Sequence, residues 1–196
     1  MNYNVSVGDK KYTLQSSNDI KLVNITEDLN EKIYDMFQEI PFQEKYQDIN
    51  IANGLSKNEF RKYCSVLELA DKNIMLDYIV PPITWFVLFD KDNPIGWFSL
   101  RDEKLPKAFM HSGHVAYTIR PSKRRLGYAT KGLEQIIQLA KALGYKKLFI
   151  TTDDKNIASQ NLIKKFGFKL CAKNSKQQIA TKEVYSGMSQ YYLNLK

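Results

Sequence analysis

The segment 113–152 most constrains the fold of this chain, because a strand, a loop, a helix and a second strand follow one another there. The first strand, GHVAYTIRP (113–121), ends at a proline. Four apolar residues of the helix at 127–143 fall at helical spacing: Leu133, Ile136, Ile137 and Ala140. The second strand, KKLFITT (146–152), has almost no polar interruption, so we expect both of its faces to be buried. This order predicts a βαβ unit with two parallel strands.

Further strands and helices surround this unit. ITWFVLF (83–89) and IGWFSLR (95–101) are joined by the tight turn DKDNP and predict a hairpin. A helix begins after Thr26, whose side chain can cap it, and a second begins at Ser56, which forms a capping-box pattern with Glu59. A short helix at 156–166 and strands at 20–25, 168–173 and 189–195 complete the predicted elements.

Together these elements predict an α/β (α+β) fold. We expect a mostly antiparallel, twisted sheet with a central parallel βαβ unit and about four helices. Residues 1–19 are interpreted as an N-terminal extension that contains a hairpin, because residues 3–14 alternate weakly around GDKK. Residues 20–196 are then one domain, since the chain length suits one domain and no linker-like stretch interrupts it.

Composition argues against several classes of protein. No window approaches 18 uninterrupted apolar residues and the N-terminus lacks the order of a signal peptide, so we expect a cytoplasmic protein without a membrane span. Cys64 and Cys171 are far apart, with no His or Cys at metal-binding spacing, which predicts no metal site. The net charge of +8 comes from lysines scattered along the chain, and no recognition helix is readable, so no specific nucleic-acid partner is expected.

The loop RPSKRRLGYAT (120–130) has the residues of an anion-binding site. In a βαβ unit this loop lies at the carboxyl edge of the sheet, where ligands bind. A helix that begins near Gly127 presents free N–H groups, and Arg124 and Arg125 add charge-assisted hydrogen bonds. These features suit a pyrophosphate, whereas the alternative is a plain solvated helix N-terminus. Gly-Lys-Ser/Thr and GxGxxG do not occur, which argues against P-loop and dinucleotide-binding sites.

The loop belongs to a longer ordered set of features. A Pro-ended strand, Arg-x-x-Gly-x-Ala, an amphipathic helix, a buried strand, Asn156-x-x-Ser159 and Lys165-Phe166-Gly167-Phe168 follow one another. This set resembles the GCN5-related N-acetyltransferases, the GNAT superfamily. The resemblance is close over 95–170, topological over 20–94 and faint over 171–196. It implies a GNAT-type sheet and direct transfer of an acetyl group from acetyl-CoA to a primary amine.

The resemblance also implies which residues hold the co-substrate, acetyl-CoA. In the family, Arg/Gln-x-x-Gly-x-Gly/Ala binds the pyrophosphate, and the later Asn-x-x-Ser/Ala segment lines the pantetheine arm. Seven residues of this chain would wrap the pyrophosphate: Arg124, Arg125, Leu126, Gly127, Tyr128, Ala129 and Thr130. Ile119 would direct main-chain groups toward the pantetheine and the thioester carbonyl, and Asn156 and Ser159 would lie beside the pantetheine.

The chain departs from the family where protons are usually carried. Many relatives have a glutamate base where this chain has Gly113, and a tyrosine acid where it has Ile163. A primary ammonium must lose a proton before it attacks, so the reaction calls for a general base. His114 and Tyr117 are the predicted catalytic residues. Further candidates are His111, which strand alternation places on the face of Tyr117, and the carboxylates Asp102, Glu103, Glu39 and Glu44.

The acceptor is less constrained. Its site is expected from 37–60, 102–112 and 183–192, and a small amine, an antibiotic, an amino acid and a protein N-terminus all remain open. The main hypothesis is an active acetyltransferase. The missing glutamate and tyrosine motivate a second one, a catalytically silent CoA-binding sensor or interaction module. A homodimer is an additional expectation.

Overall fold

A computed structural model describes residues 1–16, 19–42, 50–71, 82–174 and 187–195. The strands in these ranges are β1 (Asn2–Val7), β2 (Lys10–Gln15), β3 (Ile20–Asn24), β4 (Ile83–Asp90), β5 (Asn93–Arg101), β6 (Val115–Ile119), β7 (Lys147–Asp153), β8 (Lys169–Asn174) and β9 (Met188–Asn194). The helices are α1 (Asn30–Glu39), α2 (Lys57–Ala70), α3 (Tyr128–Ala142) and α4 (Ile157–Lys165). Three 3-10 turns, Glu27–Leu29, Lys107–Ser112 and Pro121–Lys123, precede α1, β6 and α3. No helix of this described part is long and apolar enough to cross a membrane.

Seven of the strands form one mixed sheet in the order β3-β4-β5-β6-β7-β9-β8. β6 and β7 pair in parallel, and the other described pairs of this sheet are antiparallel. Because α3 connects β6 to β7, the predicted βαβ unit is present at the centre of the sheet. The predicted fold class is therefore confirmed.

Helix boundaries follow from local signals in two cases and depart from them in one. Ser56 accepts a hydrogen bond from the backbone N–H of Glu59, and the Glu59 side chain returns one, which confirms the capping box of α2. Asn156 caps α4 by accepting from the N–H of Ser159 at 3.0 Å. Thr26 makes no side-chain cap, so that prediction is wrong: a 3-10 turn intervenes and α1 begins only at Asn30.

The sheet separates two hydrophobic layers. α3 packs on one face with buried residues that include Leu133, Ile136 and Leu139. α1 and α2 cover the other face, where Phe37 and Phe60 are buried. Burial of each side chain of this size contributes about 1.5–3 kcal/mol to the stability of the fold. The two layers therefore hold the helices against both faces of the sheet.

The expectation that β7 is buried on both faces is wrong. Leu148, Ile150 and Thr152 are buried, but the alternating Phe149 and Thr151 are only half-buried. α1 and α2 pack against β5 and β4 rather than under β7. The second face of β7 is covered instead by side chains, including His114 and Tyr192 around Phe149.

β1 and β2 form an antiparallel hairpin whose Val5 and Leu14 are buried in the same layer as α3. The division of the chain into an extension at 1–19 and a domain at 20–196 stays a prediction. What the contacts establish is that the hairpin lies against β3, the first strand of the sheet. Asn24 of β3 and Ser6 of β1 exchange two bonds of 2.8 Å between side chain and backbone.

Gln135 of α3 completes the cover of β3. Its Oε1 accepts from the backbone N–H of Leu22 at 3.1 Å and from the hydroxyl of Tyr3, and its Nε2 donates to the carbonyl of Ile20 at 3.1 Å. Burial raises the pKa of Tyr3 to about 12, so this phenol stays neutral. An edge strand presents unpaired backbone groups, and here Gln135 and Tyr3 satisfy the N–H of Leu22 while Gln135 also satisfies the carbonyl of Ile20.

We expect Gln135→Leu to lower the free energy of unfolding by more than about 2 kcal/mol, because buried backbone and hydroxyl groups lose their partner. Gln138→Leu, on the same helix, is the matched control. Its Oε1 accepts an exposed bond of 3.3 Å from the N–H of Gln15. The control should lose less than about 1 kcal/mol. Urea unfolding checks both variants, and equal losses would contradict the proposed cover of β3.

Candidate active site

β6 and β7 separate as soon as they meet. Their parallel register is confined to Val115 and Ile150, next to an isolated bridge between Gly113 and Ile150. β6 stays paired with β5 from Val115 to Ile119. The central sheet therefore opens between β6 and β7 in a wedge.

Gly113 lies in close contact with β7 just before the wedge. Its φ is +72°, and a Cβ at this position would lie 2.8 Å from the carbonyl oxygen of Phe149. Such a conformation and such a contact together require glycine. The glutamate that many relatives carry at this position has no room on this backbone.

Main-chain groups of β6 point into the wedge. Two hydrogen bonds to β5 set the pattern, from Arg101 N to the His114 carbonyl at 2.8 Å and from Arg120 N to the Ile95 carbonyl at 3.0 Å. They make Val115 and Ile119 non-hydrogen-bonded partners of β5, and alternation adds Tyr117 to this set. The N–H and C=O groups of these three residues therefore point away from β5 and toward β7. The carbonyl of Ile119 accepts from Nε of Arg124 at 3.0 Å.

The N-terminus of α3 lies at the end of β6 and carries no side-chain cap. Gly127 has φ +82°, and a Cβ there would meet nothing within 4 Å, so the space beside it is open. Arg125 also has a positive φ, of 65°. The first-turn amides of Tyr128, Ala129 and Thr130 are those that a helix leaves without an intrahelical partner. A positive helix end with an open approach is suited to an anion.

α3 is seated closely on the sheet. A Cβ on Gly132 would lie 2.1 Å from the ring of Phe98 on β5, so only glycine allows this approach. The hydroxyl of Tyr128, the first residue of α3, donates to Asp90 at 2.6 Å. That bond raises the pKa of Tyr128, and burial adds to the effect. The helix end is thus fixed to both β5 and β4.

Glu39, one of the alternative bases, is committed to the loop that precedes α3. Its Oε2 pairs with Nε of Arg120, and its Oε1 accepts from the backbone N–H of Ser122 at 2.6 Å. Burial raises the pKa of Glu39, but the bonds from Ser122 and Arg120 outweigh it and hold the pKa below its usual value. A carboxylate in this state is a weak proton acceptor.

The remaining acidic candidates lie elsewhere. Asp102 accepts from the N–H of Lys104 at 2.8 Å, and Glu103 accepts from the N–H of Lys146, just before β7, at 2.9 Å, so both carboxylates bind backbone groups away from the wedge. Glu44 lies outside the described residues. In the described part of the chain, no group of three or more His, Cys, Asp and Glu is arranged to hold a metal ion.

His114 is buried with 3% of its surface exposed, and both ring nitrogens are hydrogen-bonded to backbone. Nδ1 accepts from the N–H of Phe149 at 3.0 Å, and Nε2 lies 3.2 Å from the carbonyl of Glu103. These partners require a neutral ring with its proton on Nε2. Burial lowers the pKa of His114, although the Glu103 carbonyl opposes this. To accept a proton, the ring would have to release Phe149.

His111 does not share a strand face with Tyr117, so that expectation is wrong. It lies in the 3-10 turn Lys107–Ser112, before β6 begins. Its carbonyl accepts from the hydroxyl of Thr151 on β7 at 2.6 Å. The turn and the positive φ of Gly113 interrupt the period-two alternation on which the expectation rested.

Tyr117 reaches from β6 to α4 on the face that α3 covers. Its hydroxyl lies 3.0 Å from the hydroxyl of Ser159, and its ring stacks on Phe98 with centroids 5.4 Å apart. Burial raises the pKa of Tyr117, and the bond with Ser159 only partly offsets this. Ile163, where many relatives have a tyrosine, is buried in the core. A phenol thus lies beside α4, but it comes from a different element.

The opposite face of the sheet carries aromatic residues near the wedge. Trp85 and Trp97 lie 5.0 Å apart between ring centroids, and Ala116 of β6 packs against the same layer. Residues 43–49 and 183–186 of the predicted acceptor regions lie outside the described residues. Of the site residues predicted from sequence, the structure brings Tyr117 and Ser159 together and places Ile119 beside Arg124.

Comparison with known proteins gives a family and a set of similar folds. Residues 22–169 match the model of the acetyltransferase (GNAT) domain. No curated protein matches the chain significantly. RimL, a ribosomal L7/L12 alpha-N-protein acetyltransferase solved with coenzyme A, is 14% identical with a TM-score of 0.69 over 98% of both chains.

Two other solved structures give similar values. A putative ribosomal-protein-serine acetyltransferase from Vibrio cholerae is 16% identical, with a TM-score of 0.66 over 93% of this chain and 97% of that one. The microcin C7 self immunity acetyltransferase MccE, in complex with acetyl-CoA and AMP, is 16% identical, with a TM-score of 0.64 over 92% and 98%. These likenesses show the fold. Since the family model covers well over half of the residues, the chain belongs to the acetyltransferase (GNAT) domain family.

Proposed function

We propose that this protein is an acetyl-CoA-dependent N-acetyltransferase that moves the acetyl group directly from the thioester to a primary amine. One observation carries the proposal: the β6–β7 wedge is joined by a short loop, in which Arg124 binds the Ile119 carbonyl, to the uncapped N-terminus of α3. The first feature exposes main-chain groups, and the second offers a positive helix end. A thioester with a pyrophosphate at its other end needs both.

The donor site is proposed from the residues predicted for it. The pyrophosphate would be bound by the amides of Gly127, Tyr128, Ala129 and Thr130, with the guanidinium groups of Arg124 and Arg125 beside them. Leu126, exposed on the same loop, would border it. Ile119, Asn156 and Ser159 would line the pantetheine. Arg124 would then leave the Ile119 carbonyl, which it now occupies.

The reaction forms a C–N bond, breaks a C–S bond and moves one proton from the amine and one to the thiolate. The tetrahedral oxyanion needs a fixed donor, and an N–H of β6 that points into the wedge can supply it. Holding the two reactants in the wedge supplies a large part of the rate by itself. The chain therefore needs few catalytic side chains beyond its proton carriers.

Tyr117 is proposed as the donor of a hydrogen bond and a proton to the leaving thiolate. The phenol is neutral at physiological pH, as a donor must be, and burial raises its pKa further. Ser159 holds the hydroxyl at α4, beside the proposed pantetheine site. His114 stays a predicted base, but it could accept a proton only after its Nδ1 releases the N–H of Phe149.

The acceptor is proposed only as a primary amine. RimL acts on a ribosomal protein, and a dodecameric relative from Vibrio cholerae, 16% identical with a TM-score of 0.59, is a spermidine N-acetyltransferase. Both acceptors carry amines, so these neighbours do not define the acceptor of this protein more closely than as an amine. We also propose that the protein forms a homodimer and that it is cytoplasmic. The free thiols of Cys64 and Cys171 are consistent with a reducing compartment.

Release of free thiol from acetyl-CoA, measured with a panel of small amines, amino acids and peptide N-termini, tests the function. Gly127→Asp should bind acetyl-CoA at least about 100-fold more weakly, because a carboxylate would face the pyrophosphate. Gly127→Asn is the matched control, since Asp and Asn have similar size, both occur at positive φ, and only Asp is charged. Asn should retain most of the affinity.

Two outcomes would contradict the proposal in different ways. Equal acetyl-CoA affinity in the Asp and Asn variants would show that the pyrophosphate does not bind at the N-terminus of α3. Tight acetyl-CoA binding by the unaltered protein without thiol release from any amine would instead support the silent CoA-binding module.

Tyr117→Phe should lower kcat about 100-fold, within the range for loss of a proton-transfer group, while KM for acetyl-CoA changes little. The ring and its stacking on Phe98 are retained. Ser159→Ala is the control, because it removes the partner but leaves the phenol, and it should cost less than about tenfold. Steady-state kinetics with a saturating acceptor measure both variants. An unchanged kcat in Tyr117→Phe would exclude the phenol as a proton donor.

The neutral state of His114 predicts a pH-dependent stability. An unfolded histidine takes up a proton near pH 6.5, while the buried ring resists it, so stability is lost as pH falls below about 6.5 toward the lower folded pKa. In His114→Asn, whose amide oxygen can still accept from Phe149, this part of the loss should vanish. His111→Asn is the control and should keep it. Urea unfolding at pH 7.5 and 5.5 measures the difference, and identical pH dependence in all three proteins would show that His114 is not buried neutral.

A further inference from the structure

Carboxylates on two different elements hold the loop 120–128 at its two ends. Glu39, the last residue of α1, binds Arg120 and the backbone N–H of Ser122. Asp90, the last residue of β4, accepts from the hydroxyl of Tyr128. The stretch between them includes Gly127 and the two arginines of the proposed pyrophosphate site. This donor loop is therefore attached to the fold by two negative groups.

Such an arrangement is unexpected if charge alone shaped the loop. An anion-binding site gains from positive charge and loses from a nearby carboxylate. Glu39 both adds a negative charge and occupies the guanidinium of Arg120, which could otherwise face a phosphate. The Glu39 and Arg120 side chains are only 26% and 20% exposed, so this is not a freely solvated surface pair. The geometry offers a different reason for the carboxylate.

Glu39 controls the backbone as well as the side chain. Its Oε1 accepts from the amide of Ser122 at 2.6 Å, inside the 3-10 turn Pro121–Lys123. Arg120 also donates to the carbonyl of Pro94 at 3.3 Å, so the same guanidinium ties the turn to β5. The path of the chain into Arg124 and Arg125 is thus set by one residue that lies more than 80 positions earlier.

We infer that Glu39 is a positioning residue of the donor site, which fixes the loop 120–128 so that its amides face the pyrophosphate of acetyl-CoA in one arrangement. This inference rests on the proposed function for the identity of the ligand. Glu39 itself does not touch the ligand. It acts through Ser122 and Arg120, and α1 becomes a structural part of the donor site.

The inference and simple electrostatics predict opposite results for one substitution. Glu39→Gln removes a negative charge and releases Arg120, so electrostatics alone predicts tighter binding of CoA. Positioning predicts weaker binding, because the Ser122 amide and Arg120 lose a charged partner and the loop gains alternative conformations. Asp35→Asn is the matched control, since it removes the same charge from an exposed residue one turn earlier on α1.

Calorimetric titration of the full chain with CoA measures the effect. We expect Glu39→Gln to weaken binding at least about fivefold, the factor that corresponds to one ordinary hydrogen bond. Asp35→Asn should bind CoA as well as the unaltered protein or slightly better. Tighter or equal binding in Glu39→Gln would overturn the inference. Absence of CoA binding in the unaltered protein would instead overturn the proposed function.

Two further measurements separate positioning from a general loss of structure. Acetyl-pantetheine lacks the pyrophosphate, so its KM as a donor should be the same for Glu39→Gln and the unaltered protein, while KM for acetyl-CoA rises. A similar rise for both donors would show a nonspecific defect and overturn the inference. Tyr128→Phe releases the loop from Asp90 and keeps the ring, so it should also weaken CoA binding. An unchanged affinity in this variant would show that Glu39, and not Asp90, positions the loop.

Arg120→Gln and the double variant complete a thermodynamic cycle. If Glu39 acts through Arg120 and Ser122, the two substitutions share one effect, and the double variant should bind CoA more tightly than the product of the single losses predicts. Strictly multiplicative losses would mean that Glu39 and Arg120 act independently, which would contradict the proposed path.

Discussion

The contact between Gly113 and β7 decides where the sheet opens, and the rest of the site depends on that opening. At this point the N–H of His114 donates to the carbonyl of Phe149 at 2.8 Å, and the N–H of Phe149 donates back to the His114 ring. A side chain on Gly113 would push the two strands apart where they need to touch. β6 and β7 pair at this one place and diverge beyond it. Main-chain groups that would be paired in a regular sheet therefore point into the wedge. Buried backbone groups are nearly always paired, so such a strand is typical of a place where a ligand completes the pairing.

The wedge is useful only if the N-terminus of α3 lies beside it, and two residues of this helix help to place it there. Gly132 lets the helix lie directly on Phe98. Gln135 joins the helix to the backbone of β3 and to the hairpin through Tyr3. These contacts act on different turns, so they fix both the height of the helix above the sheet and its rotation. The orientation of the N-terminal amides, which a pyrophosphate would bind, is a consequence of packing throughout the helix.

Sequence patterns predicted those parts of the molecule that depend on neighbours along the chain. The βαβ unit, the capping box at Ser56 and the loop before α3 all follow from spacing within about 40 residues, and the structure contains each of them. Hydrogen-bond partners that are distant in sequence and meet only in the folded protein were not predictable. Nothing near Glu39 indicates that its carboxylate binds Ser122, and nothing near Tyr117 indicates that its hydroxyl meets Ser159. The position of His111 was missed for a related reason, because a 3-10 turn and one glycine interrupt the strand alternation before β6 begins.

The same geometry changes the meaning of the missing glutamate. In sequence, Gly113 in place of a glutamate suggested a protein that had lost its base. In the structure, the left-handed backbone and the adjacent Phe149 carbonyl leave no room for any side chain at this position. The glycine is therefore part of how β6 is fastened to β7, and its presence says nothing about loss of catalysis. Ile163 supports the same reasoning, because this residue of α4 is buried in the core while the phenol of Tyr117 reaches that helix from β6. Both departures have structural causes, so by themselves they do not indicate a silent module, and the proton carriers of an active enzyme have to be sought on other elements around the wedge.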